Sequence, residues 1–283
     1  SKGVDGNMTY KQQIGKVLLT ARANATLSKN EVKEKDEQEN IYPYRMERGY
    51  RVNQAKGFVA LGLFKDYDDI RNSPKQTFGN YMPGDIKYKD VNGDGIIDDQ
   101  DQVAVGATTV PNLVYGIGVS AQWKGLDVNV HFQGAGKSSF FIDGEGVRPF
   151  ASGNRGNFYQ EVIGGRWISK EESGTIATEN PHAKYPRLSY GYNGNNNRNS
   201  SYWLRNGAYL RLKTLEVGYT LPKKIVNRIH FNNIRIYMIG TNLITWSKFK
   251  MWDPEMNSSN GATYPLAKSV TCLLYTSPSP RDM

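Results

Sequence analysis

The stretch Leu113–Gln133, LVYGIGVSAQWKGLDVNVHFQ, decides the fold. Leu113, Tyr115, Ile117, Val119, Ala121 and Trp123 alternate with Gly116, Gly118, Ser120 and Gln122. After Lys124-Gly125, Leu126, Val128, Val130 and Phe132 alternate with Asp127, Asn129, His131 and Gln133. A period of two puts each set on one face of a strand, so the two runs read as an antiparallel hairpin with one apolar and one polar face.

The same pattern extends outward. Upstream, Val4, Met8, Tyr10 and Ile14 share one parity, and after Gly15-Lys16 the residues Val17, Leu19, Ala21, Ala23, Ala25 and Leu27 alternate with polar neighbours. Downstream, Ala208–Leu221 switches its apolar parity from Leu210 and Leu212 to Leu215, Val217 and Tyr219, which a β-bulge or a rim segment above the apolar belt explains. Pro222–Asn233 turns the chain, Ile234–Trp246 runs back, and a last strand starts near Leu266. Between these pairs lie long polar, turn-rich segments, 29–111 and 134–206, with an apolar patch at Gly57–Phe64 and an asparagine-rich, loop-like run at Asn193–Asn199. About seven long strands, joined by short turns on one side and long loops on the other, have the asymmetry of an outer-membrane barrel. A soluble sandwich also alternates, so strand length and one-sided loops carry the distinction.

Composition fits this reading and removes others. The chain has 283 residues, with 29 Gly and 18 Tyr, and no apolar run approaches the length of a transmembrane helix. Its formal net charge of +9 comes from scattered Lys and Arg with no helix-turn-helix, zinc-finger or RNA-binding signature, so no nucleic-acid partner is expected. The single Cys272 excludes an intrachain disulfide framework and paired-cysteine zinc sites. No nucleophile elbow, HExxH or Rossmann fingerprint is present, and no catalytic residue or enzyme activity is expected. Phe132–Ser138, FQGAGKS, imitates a phosphate loop but has His131 where the first Gly is required. His131, His182 and His230 are too scattered to pair on a metal.

One motif has specific spacing. In Asp90–Asp101, DVNGDGIIDDQD, the residues Asp90, Asn92 and Asp94 stand at positions one, three and five of an EF-hand loop. Gly95 takes the turn, Ile96 the main-chain carbonyl position, Asp98 position nine and Asp101 position twelve. Clustered carboxylates repel by up to about 4 kcal/mol per close pair at an effective dielectric near 20, and a Ca²⁺ ion removes that cost. The bland alternative is a metal-free turn screened by Lys87, Lys89 and water. Two aromatic groups are also open: Trp123, Tyr219, Tyr237 and Trp246 at strand ends are membrane-interface anchors or sheet aromatics, and Tyr185, Tyr190, Tyr192, Tyr202 and Trp203 stack on sugars or pack a loop.

The segments PGDIKYKDVNGDGIIDDQD, YGIGVSAQWKGLDVNVHFQGA, YPRL, SYWLRNGAYLRLKTLEVGYTLPKK, IRIYMIGTNLITWSKFKMWDPE and YPLAKSV occur in this order. Together they resemble the C-terminal barrel region of SusC/RagA-type TonB-dependent outer-membrane receptors. The resemblance implies an all-β fold, part of a 22-stranded transmembrane barrel of which residues 1–271 supply about the last third. It further implies import of oligosaccharides or peptides across a Gram-negative outer membrane, a SusD-like surface lipoprotein as lid, and coupling to TonB through an N-terminal region and plug outside this chain. Leu113, Ile117, Val119, Val128, Val130 and Phe132 are expected to face outer-membrane lipid, and Asn129, His131 and Gln133 the lumen. The alternative from a different class is a secreted soluble β-sandwich that binds glycans and uses Asp90–Asp101 as a structural calcium site. Residues 272–283, CLLYTSPSPRDM, depart from the expected closing strand and resemble translated adaptor sequence, so the native chain is expected to diverge after Thr271.

Overall fold

The computed structural model describes residues 1–150, 158–229, 231–256 and 258–278. The chain is all-β at its centre, with seven long antiparallel strands in one sheet: β1 (Lys2–Ile14), β2 (Val17–Lys29), β3 (Leu113–Trp123), β4 (Leu126–Gly136), β5 (Tyr209–Thr220), β6 (Phe231–Ser247) and β7 (Ser269–Pro278). Their spatial order equals their chain order, so each strand pairs with its sequence neighbours. The outer edges of β1 and β7 have no partner among the described residues.

Local chemistry sets this meander. At the hairpin foretold by the alternation, Trp123 opposes Leu126 across Lys124-Gly125, whose φ values of 46° and 89° make the doubly positive turn that matches strand twist. In β5 the pairing slips against β4, where the adjacent His131 and Phe132 oppose Thr214 and Leu212 and Lys213 is the extra residue; β6 sets Asn242 and Leu243 against it. That bulge puts Leu210, Leu212, Leu215, Val217 and Tyr219 on one face, which explains the parity switch in the sequence. The 222–233 turn holds a short helix, Lys223–Val226, whose Val226 is fully buried. The last strand starts at Ser269 rather than near Leu266, and Cys272–Ser277 continue it in register with β6. Residues 279–283 of the expected non-native tail lie outside the described residues.

The long connections are not irregular. Short strands pair Gln54–Gly57 with Val103–Thr108, Ala60–Leu63 with Ile86–Tyr88, Lys75–Gln76 with Ile96–Ile97, and Ser139–Phe141 with Leu204–Asn206. Together they enclose a hydrophobic core that includes Phe58, Phe78, Ile86, Tyr88, Ile142, Val162, Tyr185, Trp203 and Phe249. The patch Gly57–Phe64 feeds this core, with Phe58 and Phe64 at 1% and 0% exposure. Apolar burial of that kind contributes about 1.5–3 kcal/mol per large side chain, offsetting part of an ordering entropy of about 1–2 kcal/mol per residue.

Candidate functional site

Cross-strand registers sort the seven-stranded wall into rows. Val17, Trp123, Leu126, Tyr219, Ile236 and Leu274 oppose one another in turn from β2 to β7, and so do Leu19, Ala121, Val128, Val217, Met238 and Cys272. A third apolar row joins Ala23, Ile117, Phe132, Leu212 and Ile244. Directly opposed residues point to the same side of a sheet, so these rows make one apolar face. That face is not covered: Ile117 is 47% exposed and Met238 49%. Leu113, Ile117, Val119, Val128, Val130 and Phe132 lie on it, and Asn129, His131 and Gln133 lie on the other. Tyr115 in the row of Trp246 lays its ring over Gly134, where a Cβ would stand 2.2 Å from the ring.

Tyr237 corrects an expectation. Its register partner is Gly218, which opposes Asp127, so it lies on the polar face under the Arg235 guanidinium at 4.4 Å. The cation explains why an aromatic ring is acceptable there. Trp123, Tyr219 and Trp246 remain on the apolar face.

The polar face carries two charge clusters that motif reading passed over. Arg235 of β6 reaches Asp127 of β4 and Glu216 of β5 at 2.5 Å each, spanning three strands. Nearer the long-loop end, Arg211, which is 1% exposed, pairs with Asp253 and Glu255, and Lys213 pairs with Glu255 at 3.1 Å. The segment Trp252–Glu255, WDPE, thereby folds the β6–β7 connection back onto the wall. Trp252 packs against Phe249 at 4.8 Å and Tyr159 at 5.7 Å. The signal available in the sequence was the pair of acids flanking a proline opposite the bulge cations, which needs the register to be seen.

The cation loop folds largely through its own side chains. Asp90 accepts the N–H groups of Gly93 at 2.6 Å and Gly95 at 2.8 Å, Asn92 accepts Asp94 N–H at 3.1 Å, and Asp94 accepts Ile96 N–H at 2.8 Å. Asp98 caps Gln100 at 2.7 Å. Asp101 is fully buried, and its carboxylate accepts N–H groups from Val91 at 2.7 Å, Asn92 at 3.4 Å and Asp98 at 2.9 Å. Asp101 therefore staples the loop closed. Among the described residues no three acidic, histidine or cysteine side chains gather as a metal-binding group. Asp90, Asn92 and Asp94 share one turn with the Ile96 carbonyl, and their side chains, like the position-twelve carboxylate, are engaged by main-chain N–H groups. Lys87 is drawn away to Asp69 at 2.7 Å and does not pair with these acids.

Behind the loop the asparagine-rich run proves to be core rather than surface. Asn195 and Asn196 are 0% and 4% exposed. Asn196 accepts Ile86 N–H at 2.9 Å, and Asn195 donates to Ile86 C=O at 2.8 Å, so two side-chain amides act as a missing strand for Ile86. Asp85, fully buried, accepts from Asn196 at 2.7 Å and faces Arg187 at 2.9 Å. Burial raises the Tyr88 phenol well above its usual range, keeping it a donor to Asn195 C=O at 2.7 Å. Tyr185 and Trp203 are core residues and Tyr202 donates to Ala183 C=O, whereas Tyr190 and Tyr192 are exposed. Of the three histidines, His131 lies on the polar wall, His182 in an exposed turn, and His230 outside the described residues.

No family model matches the chain. It is 29% identical over 236 residues to TonB-dependent receptor P26 of Formosa agariphila, which covers 79% of this chain and 22% of that protein. TonB-dependent receptor P3 of the same organism is 26% identical over 221 residues, 76% of this chain and 20% of that one. Among solved structures, the RagAB peptide transporter superposes on 97% of this chain and 29% of its own with a TM-score of 0.69 at 20% identity, a likeness of fold. Sequence relatives and fold together make the chain similar to a segment of TonB-dependent receptors. The chain spans about a fifth of the length of the curated relatives named here.

Proposed function

We propose that residues 1–271 are the C-terminal part of a 22-stranded barrel in the outer membrane of a Gram-negative bacterium. The whole receptor imports oligosaccharides or peptides, with a SusD-like surface lipoprotein seated over the long loops and energy drawn from TonB through the N-terminal region. The observation that carries this reading is the wall itself, seven adjacent strands with an exposed apolar face, a charged and polar opposite face, and the cored loops at one end. The row of Trp123 and Tyr219 and the row of Tyr115 and Trp246 are eight residues apart along β3. That is about 26 Å along a strand, which at barrel tilt spans much of an apolar band about 25 Å tall between aromatic girdles. A soluble sandwich needs a second sheet over the apolar rows, and none lies there among the described residues. The reading assigns no catalytic step.

The loop Asp90–Asp101 is assigned a structural Ca²⁺ site using Asp90, Asn92, Asp94 and the Ile96 carbonyl, with Asp98 and Asp101 shaping it. Calorimetric titration of the full-length receptor with Ca²⁺, against an Asp90→Asn, Asp94→Asn variant, tests this; no metal-dependent heat at millimolar Ca²⁺ removes it. Residues 272–283 are assigned as non-native, and finding these codons at the genomic locus overturns that assignment. Fractionation decides the main reading. The full-length receptor is expected to sediment with outer membranes and to leave them only in detergent, whereas free release into the medium supports the soluble alternative.

A further inference from the structure

The polar wall holds a shallow cavity of about 350 Å³ lined by Thr20, Arg22 and Asn24 of β2, Gly118 and Ser120 of β3, Asn129 and His131 of β4, and Thr214 of β5. Gly118 of β3 forms part of its floor, with Gly116 next to it on the same face. A Cβ on Gly116 would meet the Asn24 amide at 2.5 Å, and one on Gly118 would meet the His131 ring at 3.4 Å, so both side chains lie flat along the wall. Glycine inside a strand often marks a place that another group approaches closely.

The lining has one chemistry. It contains a guanidinium, an imidazole, two amides and three hydroxyls, and no carboxylate. Arg22 makes no ion pair or side-chain hydrogen bond among the described residues, and neither does Lys11, which flanks it opposite Thr20. Of the acids on this face, Glu216 opposite Asn129 is held by Arg235 at 2.5 Å, and Asp5 opposite Thr26 accepts its hydroxyl at 2.5 Å. An unpaired guanidinium is a planar fork suited to two oxygens of an anion, and the amides and hydroxyls can supply further donors around it.

We propose that this wall cavity is an anion site, taking a carboxylate, sulfate or phosphate group at Arg22 with His131, Asn24 and Asn129 around it. The proposal rests on the barrel reading for the direction the cavity faces, since that reading turns it to the lumen. Two sources can present the anion: a solute passing along the wall, or an acidic side chain from the rest of the receptor.

The test places a cysteine at the cavity, Ser120→Cys, in full-length receptor whose other accessible cysteines are replaced by serine. Its reaction rate is compared between an anionic and a cationic methanethiosulfonate in isolated outer membranes. The anionic reagent is expected to react at least about tenfold faster. Arg22→Glu should invert that ratio and Arg22→Lys should preserve it, and lumen-side substitutions are cheap enough for both to assemble. Slowing of the anionic reagent by millimolar sodium sulfate assigns the site to a solute anion. Slow reaction with both reagents, relieved by molar sodium chloride, assigns it to a carboxylate of the receptor's own chain. Equal rates that Arg22→Glu leaves unchanged overturn the anion site. Val119→Cys on the opposite face separates the two readings: if it reacts as fast as Ser120→Cys in membranes, the barrel assignment fails, while the charge ratio still reports on the cavity.

Discussion

The wall and the loop region are built from the same chain on opposite principles. In the wall, large apolar side chains such as Ile117 and Met238 stand about half exposed, and stability within the sheet comes from ladders and cross-strand pairs. In the loop region, Phe58, Tyr185 and Trp203 are sealed inside, and even amides are buried and paired. On the proposed barrel reading the wall depends on an apolar medium outside it, whereas the loops carry their own interior. One receptor segment combines a membrane-type surface with a water-type core.

The largest expected effect separates the two regions. Trp203→Ala removes a fully buried ring whose indole N–H donates to Asn196 C=O at 2.7 Å, and should cost the loop region about 3–5 kcal/mol. Limited proteolysis should then cut within 30–112 and 137–208 while the strands stay protected; simultaneous loss of both regions would show that they are not separable. Next, Val119→Lys should impair membrane assembly by about 2–4 kcal/mol near the bilayer midplane, against little for Asn129→Lys one strand away. Equal effects on the yield of heat-modifiable receptor would contradict the assignment of the faces.

These two tests also mark what the sequence made legible. Wall residues alternate, so Leu113–Gln133 announced the hairpin and its faces, and the parity switch after Leu212 allowed the bulge that the register places at Lys213. Loop residues do not alternate, because their core is assembled from distant segments: Ile86 is bonded by Asn195 and Asn196, which stand more than a hundred residues later. An asparagine run reads as loop from composition, since nothing local shows that its amides complete a strand. Likewise the spacing of Asp90–Asp101 gave the turn, but not that Asp101 spends its carboxylate on three main-chain N–H groups. The clusters at Arg211 and Arg235 were illegible because charge pairing across a sheet depends on register rather than on spacing.

Smaller effects sharpen the contrast within the loop region. Asn195→Ala should take one of two amide donors from Ile86 C=O, leaving Gln76 at 3.1 Å, and cost about 0.5–1.5 kcal/mol, seen as faster amide exchange around 86–88 with no change in the wall. The smallest concerns Glu37, whose exposed carboxylate accepts the N–H groups of Glu47 and Arg48 at 2.9 and 3.0 Å, contacts that hold its pKa below the usual glutamate range. A carboxyl lowered in the folded state stabilises it above the unfolded pKa and loses that contribution as pH falls through the folded value. Exchange at Glu47 and Arg48 should therefore quicken only below the ordinary glutamate range, and Glu37→Gln should weaken that dependence.

The bulge at Lys213 has a consequence for how such proteins change over generations. A single-residue insertion or deletion within a wall strand turns every later side chain to the wrong face, so strands can lengthen or shorten only in twos unless a bulge absorbs the odd residue. Lys213 is one such odd residue, kept where it brings a second cation to Glu255. The loops are under no such parity, and each doubling of their length costs only about 0.6 kcal/mol of closure entropy. Descendants of this sequence should vary freely in the length of the loops while the wall keeps step, with the exceptions gathered at bulges.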